Sequence, residues 1–125
     1  TAGLALIDTM QSLDCPVITV GEGVVASMAA VILACGDHRQ VYRHTQVLIH
    51  QLTGGTGMAQ QTDIEIVAQH TAAMRAELDE LLAEHGNLSA QEFHELTERD
   101  CWCNARRALE LGLVDEVIAP SKKAL

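Results

Sequence analysis

The class of fold follows from residues 16–35, which read PVITVGEGVVASMAAVILAC. Pro16 to Val20 is a short β-branched run that is apolar on both sides, and this predicts a strand buried in a parallel sheet. Gly21-Glu22-Gly23 predicts a turn. Ala26 to Cys35 predicts a buried helix, which Gly36 ends. A strand, a turn and a helix in this order indicate a layered α/β domain.

Periodicity and capping signals predict the elements on either side of this segment. The predicted helices are Ala2 to Leu13, about Asp63 to His85, a helix capped by Ser89 with Glu92 three positions on that runs to about Arg99, and Ala105 to Leu111 capped by Asn104. The predicted strands are Gln40 to Tyr42, Gln46 to His50 and Leu113 to Ala119. A glycine-rich stretch, Thr53 to Gly57, carries no helix signal and precedes the long helix.

The long helix has two different sides. One side is a heptad-like seam formed by Val67, Thr71, Met74, Leu78, Leu81 and His85. The opposite side is acidic and carries Glu65, Glu77, Asp79, Glu80 and Glu84. Such a seam faces either the core of its own domain or a helix of another subunit, and the acidic side is expected to face solvent.

Composition fits one soluble domain with an aliphatic core. The chain has 125 residues, 48% of them hydrophobic, with a single Trp, Tyr and Phe. A net charge of −9 argues against nucleic acid or an anionic membrane as the partner. The longest apolar run, Val24 to Cys35, is too short to span a bilayer. The four cysteines form no spaced framework, so reduced thiols and a cytoplasmic location are expected.

Ser27, His50 and Asp100 each occupy a context suited to one member of a catalytic triad. Ser27 begins an apolar helix, His50 ends a predicted strand, and Asp100 closes the run TERD. A hydroxyl, an imidazole and a carboxylate supply the nucleophile, the general base and the group that orients the base in acyl transfer. Helix-start N–H groups beside Ser27 could hold an oxyanion, although the hydroxyl could instead cap the helix.

Two other patterns suggest different chemistry. Residues 21–26 fit the G-x-G-x-x-A dinucleotide fingerprint, but the acidic residue expected about twenty positions on is missing. Cys101-Trp102-Cys103 with His94 suggests a metal site, but zinc sites use a second matching pair of ligands. We therefore expect neither a cofactor nor a metal, and interpret the two cysteines as packing residues.

Six segments, in order along the chain, resemble the family of proteolytic subunits of the ATP-dependent Clp protease. They are residues 1–10, Ala26 to Met28, Leu48 to Gln51, Thr62 to Ile66, Thr97 to Asp100 and Gly112 to Asp115. The resemblance implies a serine protease in which Ser27 is the nucleophile, His50 the base and Asp100 the partner of His50. It further implies that the Met28 backbone N–H supplies half of the oxyanion hole. Thr53, Gly54 and Gly55 would lie beside the peptide substrate as a strand.

The same resemblance implies the architecture and the partners. The expected fold is an α/β, crotonase-like ββα spiral in a single domain, with a head over 1–52 and 86–125 and a protruding handle helix region over about 53–85. Heptameric rings would stack through the handles into a tetradecamer, and an AAA+ unfoldase would feed it unfolded polypeptides. The front part of the family's fold, with its second oxyanion donor, has no counterpart in this chain.

Several residues depart from the family pattern, and they keep other functions open. Val24 and Val25 replace Gln and Ala, Ala29 replaces a common Gly, and Leu52 stands where Pro is usual. These departures leave two alternatives, a non-catalytic ring subunit of the same family and a crotonase-like acyl-CoA enzyme.

Overall fold

The computed structural model describes residues 1–119 and 121–122. The helices are α1 (Ala2–Ser12), α2 (Met28–Ala34), α3 (Gln61–His85), α4 (Ala90–Leu96) and α5 (Ala105–Glu110). The strands are β1 (Ile18–Gly21), β2 (Val24–Ala26), β3 (His38–Tyr42), β4 (Gln46–Ile49), β5 (Cys101–Asn104) and β6 (Glu116–Ile118). No helix in this described part of the chain is both long enough and apolar enough to cross a membrane.

The strands form two small sheets that the chain visits in turn. The first sheet has the order β1-β3-β6 and is parallel throughout. The second has the order β2-β4-β5, with β2 parallel and β5 antiparallel to β4. The chain adds one strand to the first sheet, then one strand to the second sheet, and then forms a helix. It does so first with β1, β2 and α2, and again with β3, β4 and α3. This repeat confirms the expected ββα spiral.

The segment after the first strand differs from the prediction. The helix expected from Ala26 begins at Met28, because Val24 to Ala26 form β2 against β4. The β-branched Val24 and Val25 favour a strand when a partner strand is present. The Gly21-Glu22-Gly23 turn therefore joins two strands, whereas the dinucleotide fingerprint requires a strand followed directly by a helix.

The prediction that β1 is buried on both faces is also wrong. One face packs on α2, where the Thr19 hydroxyl donates to the Leu33 carbonyl at 2.7 Å. The other face leaves Ile18 and Val20 exposed. A single covering helix is enough to bury only one side of so small a sheet.

One strand and several element boundaries also differ from the prediction; β3, for example, begins at His38 and not at Gln40. Strand β5 was not predicted, because Cys101-Trp102-Cys103 is too short to show alternation and depends on pairing with β4. Helix α4 ends at Leu96, short of Arg99, and β6 begins at Glu116 although Leu113 and Val114 lie in the core. The Ser89 capping box and the Asn104 cap are confirmed.

The long helix α3 has a buried half and an exposed half. Every residue from 61 to 70 is exposed, whereas the second half packs against α2 and α4. The acidic side is not wholly solvated, because Asp79 is only 6% exposed and its carboxylate accepts a hydrogen bond from His94 Nδ1 at 2.7 Å. Packing of α4 against this side of α3 explains the difference.

Arg39 joins the ends of helices α2 and α3 to Asp115, the residue directly before β6. Arg39 is 8% exposed, and its guanidinium donates to Asp115 at 2.7 and 3.0 Å. It also donates to the carbonyls of Ala34 and His85, the last residues of α2 and α3, at 3.1 and 2.9 Å. A cation at two helix carboxyl ends satisfies carbonyls that the helices leave free and complements their dipoles.

We expect Asp115→Asn to lower the free energy of unfolding by about 1–2 kcal/mol, because it removes the charged partner of the buried Arg39 guanidinium while the partial exposure of Asp115 screens the pair. Urea unfolding at pH 7 measures the change. Glu110→Gln is the matched control, since Glu110 pairs with Arg106 and Arg107 on the surface and such pairs contribute about 0–1 kcal/mol. Equal losses in the two variants would contradict a structural role for the Arg39 pair.

The same pair predicts a pH dependence. Hydrogen bonds from the Arg39 side chain lower the pKa of Asp115 to about 2. Because the folded pKa lies below the ordinary value, the stabilisation is complete above about pH 4 and is lost as the pH falls through about 2. The difference in unfolding free energy between the native protein and Asp115→Asn should therefore shrink over that range. A difference that stays constant down to about pH 2 would contradict the assignment.

Candidate active site

Ser27 and His50 follow neighbouring strands at the point where each strand ends. Ala26, the last residue of β2, pairs with Leu48 of β4, and the Ser27 N–H donates to the Leu48 carbonyl at 3.0 Å. His50 comes directly after β4. Because the two strands are parallel, their carboxyl ends meet at one edge of the sheet. Both side chains line one cavity of about 410 Å³.

Asp100 reaches the same edge from the opposite direction. Strand β5 is antiparallel to β4, and Cys101 pairs with Ile49. Asp100 directly precedes Cys101 and His50 directly follows Ile49, so both residues lie at the same end of this strand pair. His50 and Asp100 also line a second cavity, of about 550 Å³.

The His50 ring is held by a neighbouring carbonyl. Within residues 1–119 and 121–122, no hydrogen bond joins Ser27, His50 and Asp100 to one another, and His50 Nδ1 lies 2.6 Å from the Gln51 carbonyl oxygen. A carbonyl only accepts, so Nδ1 must carry the proton, and a neutral ring then leaves Nε2 as an acceptor. That tautomer is the one a general base presents to a serine hydroxyl.

Ser27 has a strained backbone at the turn from β2 into α2. Its φ of 60° and ψ of −127° make it the one non-glycine residue with positive φ in the described chain. Such a conformation costs about 1–3 kcal/mol and is concentrated at functional sites. Its side chain makes no capping hydrogen bond to the described residues of α2. The structure therefore does not use the hydroxyl as a helix cap.

Met28 and the segment after His50 lie around the same opening. Met28 is the first residue of α2 and lines the 410 Å³ cavity, and first-turn N–H groups have no acceptor within their own helix. Thr53 lines this cavity as well, whereas Gly54 and Gly55 line an adjacent one of about 480 Å³. The expected strand at Thr53 to Gly55 does not form in the described chain. A Cβ built on either glycine would meet nothing within 4 Å, so no neighbouring strand lies alongside.

Sequence reasoning missed two side chains at this site. Asp79 lines the 410 Å³ cavity, and Arg75 lines both this cavity and the adjacent one. Arg75 hydrogen-bonds to Gln51, the residue after His50. No spacing rule could have found these residues, because Arg75 and Asp79 lie on a helix whose orientation over the site depends on packing against α2 and α4.

The buried thiol of Cys103, near Asp100, is unsuited to act as a nucleophile. Burial, together with the neighbouring Cys101, raises the pKa of Cys103 to about 12. A thiol with so high a pKa is protonated at neutral pH and reacts slowly. Among the residues that the structure describes, no group of three or more His, Cys, Asp or Glu side chains could hold a metal ion.

Comparisons with known proteins point to one family. A sequence profile described as Clp protease matches residues 1–121. The chain is 40% identical over 124 residues to the ATP-dependent Clp protease proteolytic subunit of Streptococcus sanguinis (strain SK36), covering 97% of this chain and 63% of that protein. It is 39% identical over 121 residues to the protein of the same name in Lactococcus lactis subsp. cremoris (strain SK11), covering 94% and 61%. The chain thus spans about three-fifths of the length of the curated relatives it matches.

The strain at Ser27 predicts the relative stabilities of two variants. Ser27→Gly should have a free energy of unfolding about 1 kcal/mol higher than Ser27→Ala, because only glycine adopts this positive φ without steric cost. Urea unfolding of both variants measures the difference. Ala29→Gly against the native protein is the control, since position 29 is helical and glycine there should destabilise. A Ser27→Gly variant less stable than Ser27→Ala would show that the backbone is unstrained.

Proposed function

The chain belongs to the Clp protease family, and we propose from this that it is a serine endopeptidase subunit that hydrolyses peptide bonds of unfolded proteins. Ser27 is the nucleophile, His50 the general base and Asp100 the residue that orients His50. The observation that carries the proposal is the strained Ser27 turn, which opens into the same cavity as His50. In other serine hydrolases such a turn between strand and helix exposes the nucleophile.

The proposed reaction uses each group in turn. The Ser27 oxygen attacks the carbonyl carbon of the peptide bond while His50 Nε2 takes the hydroxyl proton. The Met28 N–H donates to the oxyanion that forms. As the intermediate collapses, the C–N bond breaks and His50 gives its proton to the leaving amine. Water then hydrolyses the acyl-enzyme, again with His50 as the base.

Completion of the triad requires His50 Nδ1 to exchange its hydrogen-bond acceptor. In this structure the His50 Nδ1–H donates to the Gln51 carbonyl. During catalysis the same N–H donates to the Asp100 carboxylate instead. The change keeps the tautomer and replaces a neutral acceptor by a charged one, which forms the stronger hydrogen bond and stabilises the imidazolium during catalysis. Catalytic hydrogen bonds often tighten in this way only when substrate is bound.

The surroundings of the site support a peptide substrate. The 410 Å³ cavity beside Ser27 has an apolar wall that includes Val31, Leu78 and Leu82, suitable for a substrate side chain. Thr53, Gly54 and Gly55 make no backbone hydrogen bond to the described residues, so these groups could bind an extended peptide through its main chain and the substrate would supply the partner strand. Recognition through the main chain explains activity on many sequences.

The proposal extends to the assembly. The exposed half of α3, residues 61–70, acts as a handle for oligomer contacts, since Ile64, Ile66 and Val67 leave apolar surface uncovered in a single chain. In the proposed assembly, heptameric rings stack as a tetradecamer. An AAA+ Clp ATPase is the proposed unfolding partner, and the proposed location is cytoplasmic. The head then comprises 1–52 and 86–125, of which residues 120 and 123–125 lie outside the described residues.

A fluorophosphonate probe tests the proposal. The assembled protein should be labelled once per subunit, and peptide mapping by mass spectrometry should find the label on Ser27. Ser27→Ala should lose the label and reduce peptide hydrolysis to background. Ser12→Ala is the matched control and should react like the native protein, because Ser12 lies on the exposed side of α1 and its hydroxyl donates only to the Thr9 carbonyl.

Two results would contradict the proposal. An assembled protein that takes no label at Ser27 would be a non-catalytic ring subunit. Hydrolysis or isomerisation of an acyl-CoA that persists in Ser27→Ala would instead indicate a crotonase-like enzyme that does not use this serine.

A further inference from the structure

We propose that Arg75 is a positioning residue for catalysis, which holds the segment after His50 and the segment before Asp100 in register. This inference rests on the proposed function, because it assigns Arg75 to the same triad. Arg75 lies in the middle of α3, and its side chain, only 16% exposed, reaches between the two loops that leave β4 and enter β5.

The first loop is held through Gln51. Arg75 Nη1 donates to the Gln51 side-chain oxygen at 3.0 Å. The Gln51 carbonyl in turn accepts the hydrogen bond from His50 Nδ1 at 2.6 Å. Arg75 therefore holds the residue directly after His50. Loss of the guanidinium would free the Gln51 side chain and let the backbone that carries His50 shift relative to the segment that carries Asp100.

The second loop is held through Glu98. Arg75 Nη2 donates to the Glu98 carboxylate at 3.1 Å and to the His94 carbonyl at 2.9 Å. Glu98 stands two residues before Asp100. The same guanidinium thus connects the residue that follows the base to the segment that leads into the orienting acid.

Gln51 and the second loop are also joined directly. The Gln51 N–H donates to the Thr97 carbonyl at 3.2 Å, and its side-chain amide donates to the Glu98 carbonyl at 3.0 Å. Arg75 completes this network, because it satisfies the Gln51 side-chain oxygen and the Glu98 carboxylate together. The planar fork of an arginine can bind two acceptors at fixed separation, whereas a lysine ammonium acts as a single point charge.

One further observation sets Arg75 apart from an ordinary surface arginine. Its Nε–H is buried and finds no hydrogen-bond partner among the described residues. A buried donor without a partner is costly, and such a cost is tolerated where the rest of the side chain has a role. The three bonds to Gln51, His94 and Glu98 fix the guanidinium in this orientation.

The test compares Arg75→Met, Arg75→Lys and Gln51→Leu with the native protein in hydrolysis of a fluorogenic peptide. We expect Arg75→Met and Gln51→Leu to lower kcat by about 10- to 100-fold with KM nearly unchanged, because misplacement of the base acts on the transition state rather than on substrate binding. Arg75→Lys should recover part of the loss. The double variant Arg75→Met/Gln51→Leu should be no slower than the slower of its two single variants, since both changes break the hydrogen bond between Arg75 and Gln51.

Controls separate positioning from folding and assembly. Arg106→Met removes an exposed arginine that pairs only with Glu110 among the described residues, at 3.5 Å, and should retain native kcat and KM. Thermal unfolding and mass photometry check that each variant folds and assembles. If Arg75→Met does not fold, the kcat of Gln51→Leu tests the inference alone. Gln51 lies in a loop outside the helices, so its substitution is expected to leave the fold intact.

The outcomes separate this inference from the proposed function. Native kcat in Arg75→Met or in Gln51→Leu, or losses that multiply in the double variant, would overturn the role of Arg75 while leaving the triad in place. A native protein that neither hydrolyses peptides nor takes a fluorophosphonate at Ser27 would instead contradict the proposed function on which the inference rests.

Discussion

Strand β4 is the constraint on which the candidate site depends. It is the middle strand of its sheet and pairs with β2 on one side and β5 on the other, and these partners run in opposite directions. The parallel pairing sets Ser27 beside the end of β4, because the Ser27 N–H donates to the Leu48 carbonyl. The antiparallel pairing sets Cys101, the residue after Asp100, against Ile49, the residue before His50. A shift of either register by one residue would turn the corresponding side chains to the other face of the sheet. The proposed triad therefore depends on two backbone ladders.

The surrounding structure keeps this edge open and the ladders fixed. Helix α2 begins directly after Ser27 and packs its apolar residues into the core, which supports the unfavourable backbone at that serine. Helix α3 closes the other side of the cavity with Leu78 and Leu82. Arg39 ties the ends of both helices to Asp115, so the walls of the cavity are anchored at a distance from the chemistry.

Features that depend on neighbours in sequence could be predicted. The capping box of Ser89 and Glu92, the Asn104 cap and the extent of α1 follow from local side-chain and backbone hydrogen bonds, and the structure contains them. Ser27 and His50 are candidates because each lies at the predicted end of an element, and Asp100 is a candidate because it closes the run TERD. Their convergence is expected only from the family resemblance, since no local pattern specifies which strands pair.

Features that depend on tertiary packing could not be predicted. Strand β2 has three residues and exists because β4 is present, so its valines read equally well as the start of a buried helix. Asp79 appeared on the acidic side of α3 and is buried only because α4 covers it. Arg75 carries no sequence signal at all, because its contacts join segments that are separated by 19 to 24 residues.

The most direct test of this account is a structure of the assembled protein after reaction with a peptidyl chloromethyl ketone. In such a reagent the serine oxygen adds to the ketone carbon, and the imidazole nitrogen displaces chloride from the adjacent methylene carbon. Both bonds therefore form only when the two side chains lie together at the bound inhibitor. We predict one inhibitor joined to Ser27 Oγ and to His50 Nε2, with His50 Nδ1 donating to the Asp100 carboxylate. An inhibitor attached elsewhere, or an imidazole that remains turned away from the bound serine, would contradict the claim that the strand register assembles a triad.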